Sequence, residues 1–546
     1  MRSVLLVLIS ICFLQPDIHA QQHKFSHADT LRGTLSPERS WWDVTYYNLD
    51  VKLDPREKSI RGQNTISYRV LEPAQRLQID LQEPLIIDKV SQNGESLSFT
   101  KDGNAWFVDL KATQPKGKVL SLVVDYHGKP KEAIRAPWDG GVVWGKDSLG
   151  RPWIATACQG LGASIWWPNK DHQTEEPDSM RITVTVPKGL TNVSNGRLRS
   201  KTDNKNGTST FTWFVGNPIN NYDVALNIGN YKHFSDTYNG EDGKLNLDYW
   251  VLDYNLAKAT SHFQVVKPMM KCFEHWFGPY PFYKDSYKLI ETPHLGMEHQ
   301  SAVAYGNQYK MGYRGSDLSG TGWGLKWDFI IIHESGHEWF GNNITTKDIA
   351  DMWVHESFTN YSETIFTECQ YGKDAANAYV QGIRSKIAND IPIIGPYGVN
   401  TEGSGGDMYY KGSNMLHTIR QVINNDETFR KILRGLNKTF YHKTVTTAEV
   451  ENYISKNGGR DLSKVFDQYL RHTKVPVLEY SINNNELKYR WVADVQGFDL
   501  PLKVTLADGK YSFIYPTTEW QTTAIQLTDP KKFAADKNFY IITKAL

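Results

Sequence analysis

Cysteine is scarce in this 546-residue chain, with four in all. Cys12 falls in the first apolar run, which leaves Cys158, Cys272 and Cys369. Three thiols form at most one disulfide, so a disulfide-stapled scaffold is excluded, and burial as small apolar residues is the expected role. Net charge is almost absent as well. The 61 basic and 60 acidic residues nearly cancel to a formal +1, which removes the electrostatic case for nucleic acid or an anionic membrane surface. After the N-terminus no run of about 18 apolar residues occurs, so no transmembrane segment is expected. Internal repeats and low-complexity tracts are missing too. What remains is an ordinary globular composition, 40% hydrophobic and 22% charged, long enough for about three or four domains.

Aromatic residues are abundant, with 17 Trp and 29 Tyr. Large cores and packed sheets account for most of them, and a cleft for peptide or sugar is the other use. The first twenty residues have the form of a secretory signal: Arg2, an apolar run from Val4 to Leu14, and "DIHA" ending at Ala20. An exported mature protein is expected, whether periplasmic, cell-surface or secreted. Five Asn-x-Ser/Thr sequons occur, at Asn192, Asn206, Asn343, Asn360 and Asn437.

Hydrophobic periodicity changes twice along the chain. Alternation with period two, as in "YNLDVKLD" (Leu49, Val51, Leu53) and "RITVTVPKG" (Ile182, Val184, Val186), predicts antiparallel strands up to about residue 235. Helical spacing dominates from about Leu256 to Tyr469, as in "NLAKATSHFQVVKPMMKCFEHWFG". From Val475 alternation returns, with a hairpin expected around Asp508-Gly509. The predicted class is multidomain α+β: residues 1–20 a signal peptide, 21–235 an N-terminal antiparallel β domain, 236–474 a mainly helical domain and 475–546 a small C-terminal β domain.

The chemistry concentrates in "IIIHESGHEWFGNN". His333 and His337 are four residues apart, about 40° of helical rotation, so both imidazoles leave one face. Glu334 lies on the neighbouring strip, within reach of a water beside a metal that the histidines hold. Catalytic zinc takes three protein ligands and keeps one position open. "MWVHESFTNYSETIF" offers Glu356 as the third, nineteen residues beyond His337. Glu363, seven residues on and about 20° off the same face, could support a ligand histidine. His355 and Glu368 are competing ligands, though His355 is turned about 100° away from Glu356.

These spacings and letters resemble the M1 family of zinc aminopeptidases, the group of aminopeptidase N and leukotriene A4 hydrolase. "HESGHEWFGN" is similar to the family's metal helix and "WVHESF" to its third-ligand segment. "HLGMEHQSAV" resembles its Gly-x-Met-Glu-Asn signature, "MYYKGSNML" its Tyr-x-Lys-Gly segment, and "ACQGLGASIWWPNKD" an early segment with Gln or Glu nine residues before Pro. The resemblance implies a thermolysin-like catalytic domain and one Zn²⁺ per chain on His333, His337 and Glu356, with Glu334 as general base. Tyr409, rather than Tyr410, would stabilise the oxyanion. Glu298 and Gln159, on a pocket that includes Gly296 and Met297, would grip the free α-ammonium of a peptide substrate. Leu295 stands where the family's first signature glycine stands, His299 replaces Asn, His355 replaces Asn, and Gly336 replaces Ala. The helical C-terminal domain of larger members is not matched, which disfavours an epoxide hydrolase activity. The competing functions are a zinc metalloendopeptidase and a non-catalytic exported protein that binds peptides or glycans.

Overall fold

The computed structural model describes residues 25–401, 403 and 405–546. The signal-peptide expectation for 1–20, and Cys12 with it, lies outside the described residues. Period-two alternation becomes a ten-stranded sheet between Trp42 and Val215. Trp42–Asp54 pairs antiparallel with Ser59–Val70 on one side and parallel with Ser179–Pro187 on the other. The parallel register sets Leu49 against Ile182 and Val51 against Val184, so both apolar sets face one core. That parallel pair departs from the all-antiparallel expectation. Its two strands are joined by more than a hundred residues rather than by a hairpin, and local sequence carries no signal for such a return. A four-stranded sheet follows, in which Pro152–Ala157 leads directly into Gln159.

The second unit opens with a five-stranded sheet, ordered Tyr231–Gly240, Gly243–Leu252, Tyr287–Glu291, Val303–Tyr305, Gly296–Met297. Its first strand straddles the boundary expected at residue 235. The short strand Gly296–Met297 is at the sheet's edge, bonded on one side only, to Val303–Tyr305. Helices cover this sheet. The expected metal helix is Phe329–Gly336, the expected third-ligand helix is Trp353–Tyr371, and Asp407–Ile423 packs against the latter.

Cys272, on the helix Val266–Phe277, is disulfide-bonded to Cys369 on the third-ligand helix. Three cysteines allow one such bond; burial as small apolar residues was the expected role, and for this pair the structure corrects it. The two lie 97 residues apart in sequence, and only the packing of the two helices brings their Cα atoms to 6.0 Å. Cys158 remains a buried free thiol. Residues after 475 form a four-stranded sheet and the hairpin Leu502–Ala507/Lys510–Ile514 around Asp508-Gly509. Leu478, Leu487 and Trp491 from this segment share one core with the helices, so it closes the helical unit, whereas the N-terminal strands keep a core of their own. Of the five sequons only Asn206 is exposed; the other four asparagines are buried.

Candidate active site

The metal helix starts where Asp328 caps it, accepting hydrogen bonds from the backbone N–H of Ile330 and Ile331. It ends one residue before His337, in a turn where Phe340 (φ −128°) and Gly341 (φ +128°) leave helical geometry. Gly341 is needed there, because its positive φ is a conformation that residues with a β-carbon rarely adopt. His337 itself keeps helical angles (φ −62°, ψ −22°), so the four-residue spacing still projects both rings together. The three isoleucines are buried, and Ile330 also forms part of the cavity wall.

Donor atoms of His333, His337 and Glu356 all lie within 4.8 Å of one another. Glu356 Oε2 is 3.3 Å from His337 Nε2 and 3.6 Å from His333 Nε2. The opposite ring nitrogens are engaged. His333 Nδ1 meets Glu363 Oε1 at 2.7 Å, and His337 Nδ1 meets the Phe340 carbonyl at 3.0 Å. Each ring is therefore held with Nε2 free to ligate, as metal-binding histidines are. Glu356 Oε2 is buried without a hydrogen-bond partner among the described residues. Two imidazoles and one carboxylate converging with unpaired atoms fit Zn²⁺, which binds such sets tetrahedrally with a fourth position open. The alternatives are occupied elsewhere. His355 Nε2 accepts from the Thr346 backbone N–H, and Glu368 is paired with Arg420 through two hydrogen bonds.

Glu363 is fixed by Tyr379 O–H (2.6 Å) and Asn360 Nδ2 (2.8 Å) as well as by His333. Asn360 follows Glu356 by four residues on the same helical face, a spacing that could have been read from sequence. Tyr379 lies on the next helix, and nothing in its neighbourhood marks it.

A cavity of about 460 Å³ opens over the cluster, lined by Gln159, Gly296, Met297, Glu298, Glu334 and Tyr409 among others. Of the residues given a role in the expected site, all but His333 and Glu363 line it, and those two are buried against each other, His333 also against Glu356. Gly296 has no room for a side chain: a β-carbon there would lie 2.8 Å from Glu334 Oε1 and 2.7 Å from Ile330. Burial raises the pKa of Glu334, and the neighbouring Glu298 adds to the shift while His333 opposes it. Glu298 accepts from Gln159 Nε2 at 2.8 Å and from Tyr222 O–H at 3.2 Å, while Asn342 Nδ2 donates to its backbone carbonyl. Gln159 Nε2 also reaches Glu356 Oε1 at 3.1 Å. Its amide nitrogen thus serves both carboxylates, and its carbonyl oxygen is the atom left to accept from a cation. Tyr409 stacks on the His333 ring, with centroids 5.9 Å apart. Tyr410 lines the same cavity. Tyr222 and Asn342 were not found from sequence, since they act at a distance of 76 and 44 residues from Glu298.

Two family models match the chain, the peptidase M1 N-terminal domain over residues 44–222 and the peptidase family M1 domain over 261–469. The chain belongs to peptidase family M1. Among curated M1 relatives, probable aminopeptidase 2 of Sulfurisphaera tokodaii is 22% identical over 74% of this chain and 51% of its own length. Leukotriene A-4 hydrolase of Xenopus laevis is 22% identical over 77% of this chain and 68% of its own. The chain spans about half the length of the first curated relatives it matches. An M1 zinc metallopeptidase from Deinococcus radiodurans superposes with a TM-score of 0.68 at 20% identity, over 80% of this chain and 94% of that one. A mutant of that metallopeptidase is bound to a Tyr-Ser-Ala substrate.

Two of the departures from the family's letters have a local setting in the structure. A β-carbon at Gly336 would meet Ser362 Oγ at 2.4 Å, so the facing helix has taken the space that alanine would fill. His299 is fully buried and neither ring nitrogen has a partner among the described residues. Burial beside His294 pushes its pKa down to about 3, so it sits there as a neutral ring.

Proposed function

We propose that this M1 protein is an aminopeptidase that hydrolyses the N-terminal peptide bond of peptides with a free amine. The observation that carries the reading is the Glu298 carboxylate, held by Gln159 and Tyr222 in the cavity that His337 and Glu356 also line. Glu298 and the Gln159 carbonyl bind the substrate ammonium and so place its first peptide bond at the cluster. His333, His337 and Glu356 would hold Zn²⁺, which when bound would supply Lewis acidity at this point of the cavity. Glu334 takes the proton from that water and delivers it to the leaving amine. The Tyr409 hydroxyl donates to the carbonyl oxygen as negative charge develops there. Gly296–Met297, bonded to the sheet on one side only, offers backbone groups along which an extended peptide can lie.

We assign the protein to an exported, oxidising location. The apolar run from Val4 to Leu14 and the Cys272–Cys369 disulfide support this. Among the described residues no helix is long and apolar enough to cross a membrane.

The test compares an aminoacyl anilide with its N-acetylated form. The free amine should be cleaved at least a hundredfold faster; equal rates would point to an endopeptidase instead. Glu334→Gln should abolish hydrolysis with zinc retained, and unchanged binding without any hydrolysis in the parent protein would support the non-catalytic alternative.

A further inference from the structure

The catalytic cavity continues beyond the metal cluster. Leu295 and Trp138 line it, and both also line a second cavity of about 310 Å³. Trp138 is 63% exposed at this junction, a large ring that nothing in the protein's own core has claimed. The second cavity has no Asp or Glu in its lining and presents two cations, Lys310 and Arg314. Neither side chain makes an ion pair or hydrogen bond among the described residues. His294, also in the wall, is buried, which pushes its pKa down to about 4 and leaves the charge to the other two.

The loop that carries these cations is built rather than loose. Buried Asn307 donates from Nδ2 to the carbonyls of Lys310 (2.8 Å) and Gly312 (2.9 Å) and to Asp328 Oδ1 (2.8 Å), and accepts from the Arg314 N–H (2.9 Å). One amide therefore ties the loop to the cap of the metal helix. Gln308, Tyr309 and Arg314 all hold positive φ (57°, 61° and 55°), a strain that persists only where surroundings impose it and that clusters at functional sites. At its start the loop is bonded to the edge strand's approach, Gly306 N–H to Leu295 O at 2.7 Å.

Direction and charge then agree. A peptide whose amine is held at Glu298 and which lies along Gly296–Met297 advances toward Leu295, about 3.3 Å per residue. It passes from a cavity containing Glu298, Glu334 and Glu356 into one containing Lys310 and Arg314. A short free peptide has the matching polarity, cationic at one end and anionic at the other. Resting on the aminopeptidase reading, we propose that Lys310 and Arg314 form a carboxylate subsite that holds the C-terminal carboxylate of short peptide substrates.

The experiment measures kcat and KM for Ala-Ala-Ala, for its C-terminal amide and for alanine p-nitroanilide, in the parent protein and in Lys310→Gln/Arg314→Gln. In the parent, the free acid should have a KM about tenfold lower than the amide. The double variant should remove that difference by raising KM for the free acid alone, with kcat unchanged. Equal KM values for acid and amide in the parent, or an equal loss on both in the variant, would overturn the proposal. A peptide amide with Asp in third place separates the source of the carboxylate. If it outperforms its Asn counterpart only in the parent, the same subsite also takes acidic side chains. Anilide hydrolysis, which presents no carboxylate, reports on the aminopeptidase reading by itself: its absence in the parent sinks that reading, whereas its presence without a carboxylate effect sinks only the subsite.

Discussion

At the scale of single residues, the site depends on atoms that are absent as much as on those present. Gly296 leaves the space that the Glu334 carboxylate occupies. Gly296→Ala should push that carboxylate aside and lower kcat about a hundredfold, the cost of roughly 1 Å of misplacement. Metal analysis should still find one zinc per chain, since no ligand has moved. Tyr409→Phe tests the oxyanion role separately. Its hydroxyl acts on charge that develops only in the transition state, so kcat should fall about 10²–10³-fold with KM nearly unchanged. Tyr410→Phe is the control, and an equal loss there would reassign the role. Helical spacing is what drew attention to His333, Glu334 and His337 in the sequence, and separately to Glu356 and Glu363, because it sets which side chains of one helix share a face. Tyr222, Asn342 and Tyr379 were not, because their contacts to Glu298 and Glu363 cross between elements that no local pattern links.

At the scale of elements, the helix Phe329–Gly336 is tied down at its N-terminal end by one carboxylate. Asp328 accepts from Ile330 N–H, Ile331 N–H and Asn307 Nδ2 on one oxygen, and from Tyr305 O–H (2.7 Å) on the other, where His262 Nε2 also contacts it at 2.7 Å. Loss of a helix cap costs about 0.5–2 kcal/mol, and each buried donor left unpaired adds about 1–3. Asp328→Ala should therefore destabilise the helical unit by about 3 kcal/mol or more, read as a lower midpoint in urea. Asp328→Asn, which keeps one acceptor, should lose less. Periodicity made the strands and helices readable, including the hairpin at Asp508-Gly509. It did not reveal that Trp42–Asp54 and Ser179–Pro187 run parallel, since alternation fixes the buried face of a strand but not its neighbour or direction.

At the scale of the whole molecule, one covalent link ties two helices that both bear on the site. The Cys272–Cys369 disulfide closes a 97-residue segment that contains His333, His337 and Glu356. Cross-linking a segment of that length stabilises by about 2–5 kcal/mol, chiefly by restricting the unfolded chain. Reductant should lower the thermal unfolding temperature of the parent and leave Cys272→Ala/Cys369→Ala unaffected; identical temperatures for both proteins would show that the link adds nothing. The C-terminal sheet shares its core with the helices, so truncation before residue 475 would expose Leu478, Leu487 and Trp491 partners rather than remove an independent module.

The sequence by itself pointed to the chemistry: two histidines and a glutamate at helical spacing, and a carboxylate in a second helix at the right remove. Those are local facts, set by the 3.6-residue turn. Only the tertiary structure decided what the metal faces. The edge strand Gly296–Met297, the Gln159–Glu298–Tyr222 contacts and the loop of Lys310 and Arg314 come from segments far apart in sequence. Packing, not pattern, brings them to one cavity, because side-chain contacts across a fold depend on how whole elements cover one another's apolar faces.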